Sequence, residues 1–332
     1  MLAVLCPGQG AQKPGMLTPW LADPAARDRL DGYAETVGLD LVALGTTADA
    51  ETIRDTRVAQ PLLVAASLLS FHALVDGGTA AGDDVSGSAG GGVSDGGRAP
   101  AVVPGPDVVA GHSVGELAAA AVAGVLSDDD ALTLVRERGA AMADAAAARP
   151  TGMAAVVGGQ PAQVTEALDR HGLTAANVNG GGQVVAAGTA EQLAALQADP
   201  PQRARVVPLP VAGAFHTAHM APAVDRVRAA AAALHPAEPA VTLLSNADGE
   251  PVTSGTAALD RLVAQVASPV RWDLCCAQML ALGVTGAVEL CPGGVLTGLA
   301  RRTLPGVETV ALTGPADLPA ARDLMTRHGG TR

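Results

Sequence analysis

Short apolar runs alternate with longer stretches in which apolar residues recur every three or four positions, and this alternation spans most of the chain. Such a rhythm predicts strands interleaved with amphipathic helices, hence an α/β fold. Residues 1–7 read as a buried strand that opens into a Gly-rich loop, Pro7-Gly8-Gln9-Gly10-Ala11-Gln12. Helical spacing follows over 18–37 and 59–75, with Pro61 suited to a first-turn position. The apolar run at 107–112 predicts a strand, and helices are expected over 116–124 and 128–148. Asp128, Asp129 and Asp130 would occupy the first turn of the second, where the helix dipole favours negative charge.

Between 151 and 210 the pattern changes. It predicts a strand at 153–157, a helix at 161–171, and strands at 174–178 and 183–187 joined by Asn179-Gly180-Gly181-Gly182. A helix at 191–198 and a strand at 204–209 complete the set. The order βαββαβ is that of a ferredoxin-like unit. Helix–strand alternation then resumes: helix 220–234, strand 241–245, helices 256–267 and 271–282, strand 286–290 and a turn at Pro292-Gly293-Gly294. The chain therefore divides into an α/β core, 1–148 and 212–332, and an inserted small domain, 149–211. A Gly/Ser-rich stretch over 76–106 cannot bury enough apolar surface to order itself, and reads as a flexible surface loop away from the active site.

Composition sharpens this picture. At 332 residues, 48% hydrophobic and 16% charged, the chain is globular and long enough for a large core with a second, smaller one. Aromatics make up only 2%, so Val, Leu and Ala must fill the core. A net charge of −12 argues against nucleic acid, whose phosphates need a basic surface. No run approaches 18 apolar residues, so no membrane span is expected, and the N-terminus lacks the basic segment of a secretion signal. Cys6, Cys275, Cys276 and Cys291 have neither metal-ligand nor disulfide-framework spacing, which suits a reducing, cytoplasmic setting.

The chemistry centres on Gly111-His112-Ser113-Val114-Gly115, lying between the apolar run and the helix that begins at Glu116. A serine on a sharp strand-to-helix turn is pushed into a cleft, and the helix N-terminus behind it favours negative charge on a bound carbonyl. That arrangement suits an acyl-enzyme nucleophile. The serine needs a base, and histidine titrates nearest neutral pH. His112 is adjacent, but neighbouring side chains diverge at such a turn. His72, His171, His235 and His328 stand in helical or terminal polar contexts. Position leaves His216 and His219, which follow the inserted segment, as the alternatives. Arg138 is either a helix-surface cation paired with Glu137 or Asp144, or a clamp for a substrate carboxylate.

Taken together, Pro7-Gly8-Gln9-Gly10-Ala11-Gln12, Gly111-His112-Ser113-Val114-Gly115-Glu116, Arg138-Gly139-x-x-Met142, Gly213-Ala214-Phe215-His216 and Pro292-Gly293-Gly294-Val295-Leu296-Thr297-Gly298-Leu299 resemble the malonyl-CoA:acyl carrier protein transacylases. The resemblance runs from residue 1 to about 325 and is greatest to the stand-alone enzymes of actinobacterial fatty acid and polyketide synthesis. It implies an α/β-hydrolase-like core with a ferredoxin-like insert. It also implies Ser113 as nucleophile, His216 as general base and then acid, and the main-chain carbonyl of Gln265 as the group orienting the histidine. The backbone N–H groups of Gln9 and Val114 would form the oxyanion hole, and Arg138 would pair with the malonyl carboxylate.

A phenylalanine at 215, before the histidine, goes with malonyl over methylmalonyl in related domains, although Phe215 could equally be a core aromatic. The implied partners are malonyl-CoA and holo-acyl carrier protein, the implied state a monomer, and no metal or redox cofactor is called for. Carrier proteins are usually acidic, so Arg271, Arg301 and Arg302 are candidate docking cations, each of which could instead be an ordinary solvated charge. The alternative activities are the malonyl transferase subunit of malonate decarboxylase, which differs in its carrier, and a serine thioesterase or hydrolase. A non-catalytic carrier-binding module would not need Ser113 and His216, and both are present.

Overall fold

The computed structural model describes residues 1–76 and 105–330, so the stretch read as a flexible loop at 76–106 lies, but for its ends, outside the described residues. The strands are β1 (Leu2–Cys6), β2 (Val108–Gly111), β3 (Thr151–Gly158), β4 (Thr174–Gly180), β5 (Gln183–Thr189), β6 (Ala204–Pro208), β7 (Thr242–Leu243), β8 (Val270–Arg271), β9 (Gly286–Glu289) and β10 (Glu308–Ala311). They form two sheets, each packed against helices, in an α/β fold.

The first sheet has the order β10-β9-β1-β2-β7, and every neighbouring pair is parallel. Its strands β1 and β2 are apolar throughout because helices cover both faces; Leu2, Ala3, Val4 and Leu5 are all fully buried. In parallel register Cys6 lies opposite Gly111, so the loops leaving β1 and β2 emerge side by side. The chain leaving β7 joins them through Leu244, Ser245 and Asn246. Ligand sites of open parallel sheets form at this carboxyl edge.

The second sheet has the order β6-β3-β5-β4-β8. β3 pairs antiparallel with β5 and β6, and β4 antiparallel with β5. β8 joins β4 in parallel: Asn177 lies opposite Val270, and Val178 opposite Arg271. A strand from beyond residue 212 thus extends the sheet built by 151–208, and this ties the two sheets together.

Several elements differ from expectation. Residues 18–37 do not form one helix: a 3-10 turn, Trp20–Ala22, precedes a helix at Pro24–Val37. Pro24 disfavours helical backbone at Asp23, which instead caps the helix by accepting the Ala25 N–H. The helix expected at 59–75 begins at Thr56 and ends at Asp76, which puts Pro61 inside it instead of in its first turn. Burial of most of its length outweighs the lost backbone hydrogen bond. With a mean hydropathy of 1.8 this helix is long and apolar enough to span a membrane, contrary to the expectation from apolar runs, but most of its apolar length is buried inside the fold.

The glycine-rich link at 179–182 is shorter than expected, since Asn179 and Gly180 still belong to β4. The strand expected at 241–245 contracts to Thr242–Leu243. Short helices at Leu41–Thr46 and Val295–Thr303, strand β10 and the helix Leu318–His328 had no predicted counterpart.

Candidate active site

β2 ends at Gly111 and a helix starts at Gly115, leaving three residues for a reversal of direction. Ser113, in the middle, has φ of 54°, a left-handed conformation that costs a non-glycine residue of order 1 kcal/mol or more. The flanking glycines are required by contact. A Cβ on Gly111 would meet the Gly115 carbonyl carbon at 2.1 Å, and one on Gly115 would meet the Cys6 oxygen at 2.2 Å. The turn therefore closes tightly against β1, and Ser113 projects from it.

His216 approaches from the chain that follows β6. It too has positive φ, 60°, in a turn fixed by Thr217 Oγ1 donating to the Ala214 carbonyl (2.7 Å) and by the Ala214 N–H donating to Thr151 Oγ1 (3.0 Å). Its Nε2 lies 2.7 Å from Ser113 Oγ, and its Nδ1 2.8 Å from the Gln265 carbonyl oxygen. A carbonyl only accepts, so Nδ1 carries the proton and Nε2 is free to take the one on Ser113. Burial, and then the positive charge of Arg138, lower the His216 pKa to about 3, so the ring is neutral at working pH. His219 lies on the adjoining 3-10 turn, Ala218–Met220, and makes no hydrogen bond to Ser113 among the described residues. Of the two histidines that position left open, the fold brings His216 to Ser113.

A cavity of about 480 Å³ opens over Ser113 and His216. Gln9 lines it beside them, and so does Phe215, which is 5% exposed. The N–H groups of Gln9 and Val114 are not engaged in hydrogen bonds within the described residues, and Val114 caps the helix behind the serine. Across the cavity stand Asn177, Asn179 and Gln183 of the second sheet. His112 also lines the cavity, donating from Nε2 to Asn179 Oδ1 (2.9 Å) and resting edge-on against Trp272.

Arg138 lies on the helix Asp128–Ala147 and is 1% exposed, so it is no surface cation. Glu137 and Asp144, its suggested surface partners, pair with Arg226 instead. Arg138 Nη1 donates to Gln60 Oε1 (2.6 Å) and Nη2 to Gln265 Oε1 (2.7 Å), while its Nε has no hydrogen-bond partner among the described residues. Burial lowers its pKa to about 10, with Glu116 pulling the other way, and it remains cationic at neutral pH. It does not itself line the cavity, although its neighbours Gln60 and Met142 do.

The candidate docking arginines part company. Arg271 is held by Asp273 through two contacts, Nε at 2.9 Å and Nη2 at 2.8 Å. Arg301 and Arg302 are exposed in the last turn of the helix Val295–Thr303, and of the two only Arg302 lines the cavity.

Sequence reasoning gave no role to Asn177, Asn179, Gln60, Glu116 or Asn246. For the asparagines of β4 a signal was available: two residues apart on a strand, they share one face. For Glu116 the signal was a carboxylate opening an apolar helix, Glu116-Leu117-Ala118-Ala119-Ala120.

The description "Acyl transferase domain" matches residues 94–317 of the chain. The malonyl CoA-acyl carrier protein transacylase of Mycobacterium tuberculosis is 49% identical over 98% of this chain and 100% of its own length. That of Escherichia coli K12 is 34% identical over 97% of this chain and 99% of its own. Among solved structures, MCAT from Mycobacterium tuberculosis superposes with a TM-score of 0.86 at 49% identity, over 97% of this chain and 99% of that one. A chain of a solved structure described as a type II polyketide synthase acyl-carrier protein in complex with its malonyl-transacylase matches with a TM-score of 0.83 at 29% identity, over 97% of this chain and 99% of that one.

Proposed function

The chain belongs to the malonyl-CoA:acyl carrier protein transacylase family, an acyltransferase family, and from that premise we propose how its cavity moves malonyl from malonyl-CoA to the phosphopantetheine thiol of holo-acyl carrier protein. His216 Nε2 takes the proton of Ser113, whose oxygen attacks the thioester carbonyl. The N–H groups of Gln9 and Val114 hold the resulting oxyanion. Collapse breaks the C–S bond, and the CoA sulfur leaves with the proton from His216. In the second half the carrier thiol gives its proton to His216 and attacks the malonyl-serine ester, and Ser113 regains its hydrogen.

The Gln265 carbonyl orients the imidazole without adding a negative charge. It stabilises the imidazolium less than a carboxylate would, which suffices for a thiol leaving group. The steps are carried by groups of this chain and the two thiols, and the mechanism calls for no metal or redox cofactor.

The observation that carries the choice of acyl group is Arg138: among the described residues it is a buried guanidinium hydrogen-bonded to two neutral amides alone, with its Nε unpartnered. Such a group wants a carboxylate, and a malonyl chain on Ser113 supplies one. Phe215 in the cavity wall takes the space an α-methyl group would need. Asn177, Asn179 and Gln183 offer amides to the amide-bearing pantetheine arm. The exposed Arg302 on the cavity's open side is the best placed of the candidate docking cations.

In this reading the parallel sheet is the α/β-hydrolase-like core, 1–148 and 212–332, and residues 149–211 are a ferredoxin-like insert. The order β6-β3-β5-β4 with antiparallel pairing supports the latter. Four free cysteines support a reducing, cytoplasmic setting, and we take the enzyme to be a monomer.

Intact-mass spectrometry after mixing with malonyl-CoA tests the reading. A malonyl adduct that is absent from Ser113→Ala and passes to holo-carrier protein supports transfer. An adduct lost to water at the same rate with or without carrier would make the protein a hydrolase.

A further inference from the structure

Glu116 is 5% exposed, and it does not touch Arg138 directly. Its Oε1 accepts the Asn246 backbone N–H at 2.6 Å, and its Oε2 accepts a short hydrogen bond from Gln265 Nε2. The cavity beside it is only about 10 Å³, room for one water at most, so protein donors must satisfy the carboxylate. Both of its partners then reach the nucleophile. Asn246 Oδ1 accepts the Ser113 N–H (2.8 Å) while its Nδ2 donates to the Gly111 carbonyl (2.8 Å), and Gln265 Nε2 donates to the Ser113 carbonyl (3.1 Å). Gln265 also accepts from Arg138 through Oε1 and from His216 through its main-chain oxygen.

The polarity of this chain of bonds is forced. A guanidinium only donates, so the Gln265 amide must turn its oxygen to Arg138 and its nitrogen to Glu116, both of whose oxygens accept here. Were residue 116 a glutamine accepting from Asn246, its own NH2 would face the Gln265 NH2. Turning the Gln265 amide over would relieve that clash only by setting two donors against each other at Arg138. The defect cannot be absorbed locally; it moves either to the backbone of the nucleophile or to the acyl-carboxylate clamp.

We infer that Glu116 is a positioning residue for malonyl transfer: its carboxylate fixes the Gln265 amide and the Asn246 backbone, and through them aligns Ser113 and Arg138 together. The inference rests on the malonyl-transfer reading, because only an acyl group bearing a carboxylate uses both ends of the network.

The test compares wild type, Glu116→Gln, Glu116→Asp and the double exchange Glu116→Gln with Gln265→Glu. Each is scored for melting temperature, for the single-turnover rate of Ser113 acylation by malonyl-CoA and by acetyl-CoA, and for labelling by a small fluorophosphonate. That last reagent needs Ser113 and His216 but no carboxylate clamp, so it judges this inference even if wild type refuses malonyl, which would count against the transfer reading alone. Glu116→Gln should melt cooperatively, acylate with malonyl about ten- to a hundredfold more slowly and discriminate less between malonyl and acetyl. Glu116→Asp, which keeps the acceptor, should recover part of the loss. The double exchange restores donor–acceptor order between residues 116, 265 and Arg138, but it sets a carboxylate oxygen against the Ser113 carbonyl and pairs position 265 with Arg138, so it should stay slow with malonyl. A folded Glu116→Gln with wild-type acylation, labelling and selectivity would overturn the inference. So would losses that only track the unfolded fraction, or, where the single variant does not fold, a double exchange with wild-type malonyl preference.

Discussion

Ser113 Oγ and His216 Nε2 stand 2.7 Å apart, and each of the two residues is held in a left-handed backbone conformation, φ 54° and 60°. Only one other non-glycine residue among those described, Arg203, has positive φ. Strain of this kind persists where surrounding contacts over-determine it. Here those contacts are the tight packing of Gly111 and Gly115, the Asn246 and Gln265 bonds to Ser113, and the Thr217 and Thr151 bonds around His216.

That strain should be measurable. Ser113→Ala and Ser113→Gly should both abolish the acyl adduct, yet the glycine variant should be the more stable of the two by about 1 kcal/mol, since glycine adopts positive φ without a Cβ clash. Urea unfolding of the two inactive proteins decides it; equal or reversed stabilities would mean that the turn is not strained.

Removing Arg138 should separate substrates by charge. Arg138→Ala should lower kcat/KM for malonyl-CoA by about a hundredfold or more while affecting acetyl-CoA far less, which narrows the preference between them. Arg138→Lys should not restore it, because a point charge cannot reproduce the planar fork that Gln60 and Gln265 hold. Steady-state kinetics with both thioesters provide the check.

The buried His216 predicts a pH signature in stability. Its folded-state pKa, about 3, lies below the ordinary 6.5, so the fold favours the neutral ring. That contribution is complete above about pH 6.5 and is lost as pH falls towards 3, with a slope of at most about 1.4 kcal/mol per pH unit. Glu116, raised by burial to about 7 from 4.5, has the opposite sign and lowers stability as pH rises through that interval. Subtracting the pH–stability curve of His216→Gln from that of wild type isolates the histidine. A difference that stays flat from pH 6.5 to 4 would show that the ring is not buried neutral.

At the open side of the cavity, Arg302→Glu should raise KM for holo-carrier protein more than KM for malonyl-CoA, and the effect should shrink as salt rises. Arg271→Glu should do less, because Asp273 already engages its guanidinium. Titration of carrier protein at two ionic strengths distinguishes the two positions.

Much of the site was legible in the chain because it depends on local rules. Gly-x-Ser-x-Gly between an apolar run and a helix specifies a turn that exposes its serine, whatever the rest of the fold does. The two-sheet division was visible as a change in hydrophobic rhythm after residue 150. Less local features were misjudged. Pro61 looked like a helix start, yet burial carries the helix past it, and β8 was hidden because two residues are too few to show a period.

The sequence by itself determined which groups could do chemistry: a serine on an elbow, histidines to activate it, and an arginine of undecided role. Only the tertiary structure decided which histidine reaches the serine, that Arg138 is buried among amides and not on the surface, and that Glu116, Asn246 and Gln265 link Ser113 to Arg138. The reason is physical. Turn geometry follows from neighbouring residues, whereas hydrogen-bond partners lying 103, 127 and 149 positions apart, as for Ser113 with His216, Arg138 with Gln265 and Glu116 with Gln265, meet only when the sheets and helices pack.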